Sequence, residues 1–218
     1  MDFKEFRYPK PLRFDIGKHV GKKRYMSKAD ENYLLSGRVI VEEKMDGKET
    51  TFRNREFIFC AEDLKVRHSI AYHIPARYTV FDIFSLVRGL FLCAQEKADV
   101  TRFYMRNRNL LPRPLAQGGI FPIRQLALGV FGINDLPALI SISAYAVNSK
   151  TKDPDFMEGI VVKPDRELLY EEHLSGKIVR KEFLDGVRTH YLRMRRELNQ
   201  IDPLLPETEM EGPLTAVK

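Results

Sequence analysis

The chain has 218 residues, 44% of them hydrophobic, so it can bury a substantial core in one large domain, or in one domain with a small appendage. The 36 lysines and arginines against 30 aspartates and glutamates give a net charge of +6, which suits a polyanionic partner but does not require one. Two cysteines exclude a disulfide framework, the charged amino terminus argues against a signal peptide, and no run approaches the roughly 20 apolar residues of a membrane span, so we expect a cytoplasmic protein with no membrane partner.

The first 85 residues are predicted to form short strands after an irregular lead-in. The lead-in, residues 1–36, is rich in proline, aromatic residues and lysine, with one short helix expected near residues 28–35. Such a segment could lie beside a phosphate-binding cleft. Strands are predicted over residues 38–43, 50–53, 56–60 and 77–84, the middle two as a hairpin. Several short strands in succession favour an α+β protein with antiparallel sheet over alternating βαβ units.

The character of the sequence changes after residue 87. Apolar spacing predicts helices over residues 96–107 and 123–130, with an extended link over 110–120 between them. Residues 150–156 read as a polar loop, followed by short strands over 158–163 and 177–181. A helix over 182–199 carries an apolar stripe that we expect to pack on the domain. The predicted division is a lead-in over 1–36, a main domain over 37–183, a C-terminal helix over 184–200 and a flexible tail over 201–218.

Lys44 comes directly after the strand predicted over residues 38–43 and is followed by Met45, Asp46 and Gly47. A free lysine titrates near ~10.4, so hardly any of its amine is neutral at pH 7. A desolvated pocket or nearby cations would lower this pKa and make the amine a nucleophile. Asp46 could orient the group that Lys44 attacks, and Gly47 permits a sharp turn. The same pattern fits an ordinary strand ending in an Asp-Gly turn, so the hypothesis of a covalent nucleophile depends on the rest of the chain.

Further acids and amines follow at the ends of other predicted strands. Glu158 and Lys163 bracket an apolar strand, as expected where a carboxylate meets a metal ion and a lysine meets a phosphate. Lys177 and Arg180 put positive charge on a second strand, and Glu62 follows the end of another. Cations that neutralise phosphoryl oxygens and carboxylates that hold a divalent metal are what attack on a nucleoside triphosphate needs.

Five segments carry these residues in order. They are Lys44-Met45-Asp46-Gly47, Cys60-Ala61-Glu62-Asp63-Leu64, Val80-Phe81-Asp82-Ile83, Glu158-Gly159-Ile160-Val161-Val162-Lys163 and Lys177-Ile178-Val179-Arg180. Each is weak alone, but in this order and spacing the chain resembles the covalent nucleotidyltransferases, which include RNA ligases, ATP-dependent DNA ligases and mRNA-capping guanylyltransferases. The resemblance runs from Lys44 to about residue 183.

The resemblance implies a role for each segment. Lys44 would accept AMP from ATP and release pyrophosphate. Glu62 would contact the ribose, Phe81 would stack on the purine, and Glu158 would engage Mg²⁺ or Mn²⁺. The other residues expected to bind the nucleotide are Glu43, Asp46, Gly47, Lys163, Lys177 and Arg180. Val179 stands where the family carries a second lysine, so Arg180 or Lys181 is expected to compensate.

The run Arg67-His68-Ser69-Ile70 is similar to RNA ligases in particular. DNA ligases and capping enzymes continue into an OB-fold domain of roughly 70–100 residues, whereas about 35 follow residue 183 here. We therefore expect an α+β nucleotidyltransferase domain of two mostly antiparallel sheets with flanking helices and no OB fold. Its expected function is ATP-dependent ligation of RNA 5′-phosphate to 3′-hydroxyl ends, with an RNA end-healing enzyme as a partner. The residues predicted to contact RNA are Arg67, His68, Arg188, Arg193, Arg195 and Arg196.

Two alternatives remain open at this stage. One is a minimal DNA ligase or a guanylyltransferase-like enzyme, which differs in the nucleotide or strand that it uses. The other is a catalytically weak nucleic-acid-binding subunit that keeps the fold, against which the intact residues Lys44, Glu158 and Lys163 argue.

Overall fold

The computed structural model describes residues 6–16, 24–186, 197–205 and 215–217. Its α-helices are α1 (Lys28–Leu35), α2 (Ala94–Arg106), α3 (Arg113–Gly118) and α4 (Lys181–Gly186). Its strands are β1 (Leu12–Arg13), β2 (Val39–Lys44), β3 (Lys48–Arg53), β4 (Phe57–Asp63), β5 (Ala71–Ile74), β6 (Tyr78–Ser85), β7 (Leu90–Phe91), β8 (Ile120–Pro122), β9 (Gln125–Gly129), β10 (Ile142–Val147), β11 (Pro154–Phe156), β12 (Gly159–Pro164), β13 (Leu168–Leu169), β14 (Gly176–Val179), β15 (Gln200–Ile201) and β16 (Thr215–Val217). No helix in this part of the chain is long and apolar enough to cross a membrane.

The first six-stranded sheet has the order β1-β14-β12-β2-β9-β16, with β12 and β2 at its centre. These two strands run antiparallel, and Lys44 lies opposite Gly159. Because side chains alternate between the faces of a strand, Val39 and Val41 enter an apolar core on one face. Glu42 and Lys44 are then directed to the other face. Alternation along β2 therefore places a carboxylate and an amine side by side on the face opposite the core.

The second six-stranded sheet has the order β13-β7-β6-β4-β3, and β8 pairs with β6 outside this order. β3 and β4 form the predicted hairpin, and β4 pairs antiparallel with β6 with a shift of register between Cys60 and Ala61. β8 runs parallel to β6. Glu62 lies near the end of β4 and Phe81 lies within β6, so this sheet carries two of the predicted site residues.

A third, four-stranded sheet has the order β11-β10-β5-β15. β15 runs parallel to β5, and β16 runs parallel to β9 at the edge of the first sheet. The fold is mixed α+β, as predicted, and most strand pairs among the described residues are antiparallel. The expectation of two sheets was wrong by one, because the C-terminal residues and the segment around β10 pair with β5 instead of with the larger sheets.

The two longer helices pack on the sheets. The N–H of Asp30 donates to the Ser27 hydroxyl over 3.1 Å, which caps the start of α1, and α1 packs on β12. Helix α2 packs against β6 and β8 and buries Lys97, Thr101 and Tyr104, which share one side of the helix. A lysine on a buried helix face must find a charged or polar partner in the interior.

Most short elements lie where the sequence predicts them. The helix at 28–35 and the helix near 96–107 are confirmed as α1 and α2. The strands predicted around residues 38–43, 77–84, 158–163 and 177–181 are confirmed as β2, β6, β12 and β14. The lead-in also runs beside a pocket, which Tyr8, Lys10 and Pro11 help to line.

Two predicted elements in the middle of the chain were wrong. Residues 123–130 contain the strand β9 instead of a helix, because the segment Gln125–Gly129 pairs with β2 and buries Ala127 completely. Short apolar runs fit a buried strand as well as a helix. The link at 110–120 contains α3, whose first turn holds Pro114, where a proline lacking an N–H costs no helical hydrogen bond.

The predicted C-terminal helix was wrong at its end. Helix α4 covers its start, whereas Leu198 forms an antiparallel bridge with Val66 and Gln200–Ile201 pairs with β5. Leu198 is 67% exposed, so it does not continue an apolar stripe on the domain. Thr215–Val217 pairs with β9, so the tail does not remain free throughout. Arg188, Arg193, Arg195 and Arg196 lie outside the described residues.

Candidate active site

A pocket of about 200 Å³ lies between the two six-stranded sheets, beside the N-terminal segment. The first sheet contributes residues of β2, β12 and β14, and the second contributes residues of β3, β4 and β6. Of the residues predicted to form a site, Glu43, Lys44, Glu62, Phe81, Lys163 and Lys177 line this pocket. Residues that are more than 130 positions apart in sequence therefore meet at one place.

Lys44 is bound to the predicted metal ligand. Its Nζ lies 2.6 Å from Oε2 of Glu158, and Nζ also donates to the carbonyl of Met45 over 3.4 Å. The pairing of Lys44 with Gly159 brings Glu158 to the end of β2. A Cβ on Gly159 would lie 2.1 Å from the carbonyl oxygen of Ile178, so glycine is required for β14 to come this close to β12.

The pKa of Lys44 is raised above its ordinary value, contrary to the expectation of a lowered one. Burial of the amine lowers the pKa, but the carboxylates of Glu158, Glu62 and Asp46 outweigh burial and raise it. The side chain of Lys44 is 21% exposed, so the amine is accessible from the pocket. In the isolated protein Lys44 is therefore held as an ammonium, which is not nucleophilic.

Carboxylates outnumber amines around Lys44. The pKa of Glu62 is raised to about 8, first by burial and then by the charges of Glu158, Glu49 and Asp46, against the opposing effect of Lys44. Oε2 of Glu62 is buried and has no hydrogen-bond partner. The pKa of Glu158 is also raised, by burial and by Asp46. A divalent cation would relieve this excess of negative charge.

The donor set fits Mg²⁺ or Mn²⁺ shared with a substrate. The described residues contain no group of three or more His, Cys, Asp or Glu side chains arranged to hold a metal ion. Mg²⁺, however, is commonly bound through one or two carboxylates, with substrate phosphates and water completing its shell. Glu158 and the unpartnered oxygen of Glu62 satisfy that requirement.

Asp46 and Gly47 shape the turn after Lys44. Oδ2 of Asp46 accepts hydrogen bonds from the N–H groups of Ser69 (2.7 Å) and Ile70 (3.3 Å), and the Asp46 N–H donates to the Tyr72 hydroxyl over 2.8 Å. A Cβ on Gly47 would lie 2.9 Å from the carbonyl oxygen of Asp63, so the turn packs tightly on the end of β4. Asp46 therefore orders the loop after β4 in addition to facing Lys44.

Phe81 and Lys163 form the other end of the pocket. The Phe81 ring meets the Tyr8 ring edge-on, with centroids 4.9 Å apart, and Nζ of Lys163 lies 5.4 Å from the Phe81 centroid. Lys163 is 7% exposed and donates to the Phe81 carbonyl over 2.6 Å. Nζ also lies 2.9 Å from Glu42 and 3.2 Å from Asp82. Burial lowers the pKa of Lys163, but these carboxylates raise it to about 12.

The sequence analysis missed the partners of Lys163. Lys97 of α2 pairs with Glu42 and donates to the Phe81 carbonyl over 2.9 Å. Asp82 accepts a hydrogen bond from the Tyr8 hydroxyl over 3.0 Å, and Nε2 of His173 lies 3.1 Å from the same carboxylate oxygen. Burial raises the pKa of Asp82, but Lys163, His173 and Lys97 bring it well below its usual range. The available signals were Glu42 and Asp82, acidic residues within otherwise apolar strands.

Lys177 and Arg180 do not lie together. Lys177 lines the pocket from β14, where it pairs with Val161 of β12. Arg180 lies outside the lining, where its Nε donates to the Met157 carbonyl over 3.3 Å and its guanidinium stacks over the Phe156 ring at 5.3 Å. Lys177 is thus the cation that this segment brings to the pocket.

The carboxylate of Glu43 is directed away from the pocket. Its side chain has no exposed surface, accepts a hydrogen bond from the Ser143 hydroxyl and lies 3.8 Å from Arg124. Burial raises the pKa of Glu43 to about 7 against the opposing effects of Ser143 and Arg124. Glu43 therefore lines the pocket with atoms other than those of its carboxylate.

Arg67 and His68 lie on the loop that Asp46 orders. A guanidinium nitrogen of Arg67 donates to Glu197, and the Arg67 N–H donates to the Glu197 carbonyl over 2.9 Å. Nδ1 of His68 lies 3.9 Å from Asp46. Arg67 therefore binds the C-terminal segment in this structure, and contact of either residue with RNA remains a prediction.

The C-terminal segment reaches the site through Asn199, another residue that the sequence analysis missed. The buried Asn199 side chain accepts from the Tyr72 N–H over 2.9 Å and donates to the Leu64 carbonyl over 2.7 Å. Tyr72 in turn binds Asp46, two residues from Lys44.

Comparison of the chain with known protein families, with curated proteins and with solved structures gives no match.

Proposed function

We propose that this protein is a covalent nucleotidyltransferase that transfers AMP from ATP to Lys44 and uses it to ligate RNA. The observation that carries the proposal is that segments far apart in the sequence meet at one place in the structure. The five segments on which the family resemblance rests all contribute to one pocket or to its edge, with Lys44 2.6 Å from Glu158. Segments that resembled a family by accident would have no physical reason to meet.

The proposed reaction has three steps. The neutral amine of Lys44 attacks the α-phosphorus of ATP, so that a P–N bond forms, the P–O bond to pyrophosphate breaks, and the amine proton passes to solvent. The 5′-phosphate of an RNA strand then attacks the lysyl-AMP. The P–N bond breaks, the lysine nitrogen takes up a proton from solvent and is restored as an amine, and the strand is capped by AMP through a pyrophosphate link. A 3′-hydroxyl finally attacks the 5′-phosphorus and releases AMP. Positioning and charge neutralisation would carry most of the acceleration.

The pocket residues suit these steps. The Phe81 ring offers an apolar face to a purine beside Tyr8, and Lys177 offers positive charge to phosphate. Glu158 and Glu62 would hold Mg²⁺ or Mn²⁺, which supplies positive charge to the carboxylates and to the phosphoryl oxygens. Cytoplasmic location and an RNA end-healing partner belong to the same proposal.

Labelling with nucleotide tests the proposal. The protein is incubated with α-labelled ATP and Mg²⁺, denatured and separated by electrophoresis, and a labelled band is expected. Lys44→Ala should lose the label. Lys48→Ala, which truncates an exposed lysine four residues away, is the matched control and should keep it. Absence of label in the wild type, or equal label in Lys44→Ala, contradicts the proposal.

The ion pair of Lys44 with Glu158 favours one second candidate, a catalytically weak nucleic-acid-binding subunit, since an ammonium does not attack phosphorus. That candidate predicts RNA binding with no label from any nucleotide. Label from α-labelled GTP in place of ATP would identify a guanylyltransferase-like enzyme. Sealing of nicked DNA but not nicked RNA would identify a minimal DNA ligase.

A further inference from the structure

The charges of the chain are separated along its length. Residues 100–134 contain five arginines and no aspartate or glutamate, although acidic residues make up about one in seven of the whole chain. This stretch covers the second half of α2, all of α3 and the strands β8 and β9. Such a local excess of positive charge raises the concentration of polyanions near one side of a protein.

Three of the five arginines remain exposed. Arg102 pairs with Asp99 over 2.8 Å, and Arg124 lies 3.8 Å from Glu43. Arg106, Arg108 and Arg113 are exposed, and none of the ion pairs among the described residues includes them. We call these three residues the arginine surface. They lie at the end of α2, in the turn Arg108–Leu110 and at the start of α3.

Apolar side chains accompany the arginine surface. Phe103 is 52% exposed and Leu110 is 50% exposed. Aromatic rings beside exposed cations are the combination that binds single-stranded nucleic acid, because bases stack on rings while phosphates meet the cations. A protein partner would need a matching acidic patch, whereas every nucleotide of a single strand supplies both a base and a negative charge.

The arginine surface lies across the second sheet from Lys48, which follows Lys44 by four residues. Across the second sheet Lys48 pairs with Asp63, Asp63 with Tyr78, and Tyr78 with Ile120. Three steps of about 4.8 Å between strands separate the first and last residues by roughly 14 Å. The Arg108 guanidinium lies 3.9 Å from the position of a Cβ on Gly119, next to Ile120. The span corresponds to about four nucleotides of a stacked strand, at 3.4 Å each.

We propose that the arginine surface binds the phosphate backbone of a single RNA strand and leads that strand to the pocket at Lys44. The proposal rests on the proposed function for its choice of RNA and goes beyond it by assigning the strand to a particular surface. Contacts with phosphate carry no sequence information, so binding here is independent of sequence. Each phosphate contact on a single strand contributes roughly 0.7 to the slope of log affinity against log salt, so three contribute about 2.

The test compares two triple variants with the same change of charge. The first is Arg106→Gln with Arg108→Gln and Arg113→Gln. The control is Lys28→Gln with Lys150→Gln and Lys152→Gln, three exposed lysines that do not line the pocket. Fluorescence anisotropy of a labelled single-stranded uridylate oligonucleotide is measured against NaCl concentration. The arginine variant should lose at least tenfold in affinity at low salt, and its salt slope should fall by about 2, while the control stays near the wild type.

Three outcomes overturn the proposal: wild-type protein that does not bind the oligonucleotide at low salt, an arginine variant that binds like the wild type, or two variants that weaken equally. The last would mean that net charge alone governs binding. Labelling of Lys44 by ATP, measured on the same proteins, separates this proposal from the proposed function. If ATP labels Lys44 but the arginine variant binds RNA like the wild type, only the proposal for the arginine surface is refuted. No label with RNA binding dependent on the arginines refutes only the lysyl-AMP reaction. Circular dichroism confirms that both variants are folded.

Discussion

The amine of Lys44 lies 2.6 Å from Oε2 of Glu158, and this ion pair sets the protonation of the predicted nucleophile. The pKa of Lys44 is raised because Glu158, Glu62 and Asp46 together outweigh burial. The fold thus holds the amine in its charged form, and neutralisation of the carboxylate charge would lower the pKa of Lys44.

Glu158→Gln should lower the pKa of Lys44, because it removes the largest influence that favours the ammonium. The measurement is acylation of Lys44 by a trace amine-reactive reagent at a series of pH values, followed by mass spectrometry of the peptide. The midpoint should move to lower pH. Glu56→Gln, on the exposed hairpin, should leave it in place. An unmoved midpoint in Glu158→Gln would show that Glu158 does not control the amine.

Breaking the buried ion pairs beside the pocket should lower the stability of the protein. Lys97→Met leaves Glu42 in the interior with one cation, Lys163, in place of two. Breaking a buried pair by removing one partner costs about 3–5 kcal/mol, so urea unfolding should show a loss of about 3 kcal/mol. The double variant Lys97→Met with Glu42→Gln should recover part of this loss. A loss below about 0.5 kcal/mol, as expected for Lys150→Met at the surface, would contradict the assigned pairs.

Glu43 should make stability depend on pH. Its pKa is raised to about 7 in the folded protein by burial, from an ordinary value of 4.5. The folded state therefore binds the proton more tightly than the unfolded state, and stability present below pH 4.5 is lost as the pH rises towards 7. The loss is on the order of 3 kcal/mol.

Glu43→Gln should remove that loss, since the amide does not titrate and can still accept from Ser143. Unfolding by urea at pH 4.5 and pH 8 measures how much the free energy of unfolding changes with pH in both proteins. An equal change in the free energy of unfolding in the variant and the wild type would mean that Glu43 does not take up a proton between pH 4.5 and pH 8.

Asn199 should hold the loop beside Lys44 from the C-terminal side. Asn199→Ala leaves the Tyr72 N–H and the Leu64 carbonyl buried without their partner, at a cost of about 1–3 kcal/mol. Hydrogen exchange of the Ser69, Ile70 and Tyr72 amides should become faster. Gln200→Ala, at the exposed neighbouring position, is the control. Unchanged exchange in Asn199→Ala would show that the segment is not coupled to the loop.

The sequence predicted those parts of the site that depend on local pattern. Alternation along β2 and the glycine after Glu158 are properties of a few neighbouring residues, and they place Lys44 and Glu158 at strand ends as expected. That the two residues meet, although they are 114 positions apart, follows from the pairing of β2 with β12 and not from a local pattern. Phe81 packs against Tyr8, which is 73 positions away, and Asp82 lies beside His173, which is 91 positions away. Nothing in a local pattern specifies such distant partners.

The same reason explains the errors of fold. Residues 123–130 have apolar content that suits a helix or a buried strand, and pairing with β2 decides between them. Asn199 gave no signal, because a single asparagine at the end of a predicted helix is typical of a surface. Its role follows from the bridge of Leu198 with Val66, which turns the chain back onto β5.

The most direct test of the account is the intact mass of the protein after incubation with ATP and Mg²⁺. We expect a species heavier by one AMP, with the addition mapped by fragmentation to Lys44, absent in Lys44→Ala and present in Lys48→Ala. A protein that keeps its unmodified mass, or that carries AMP on any other residue, would contradict it.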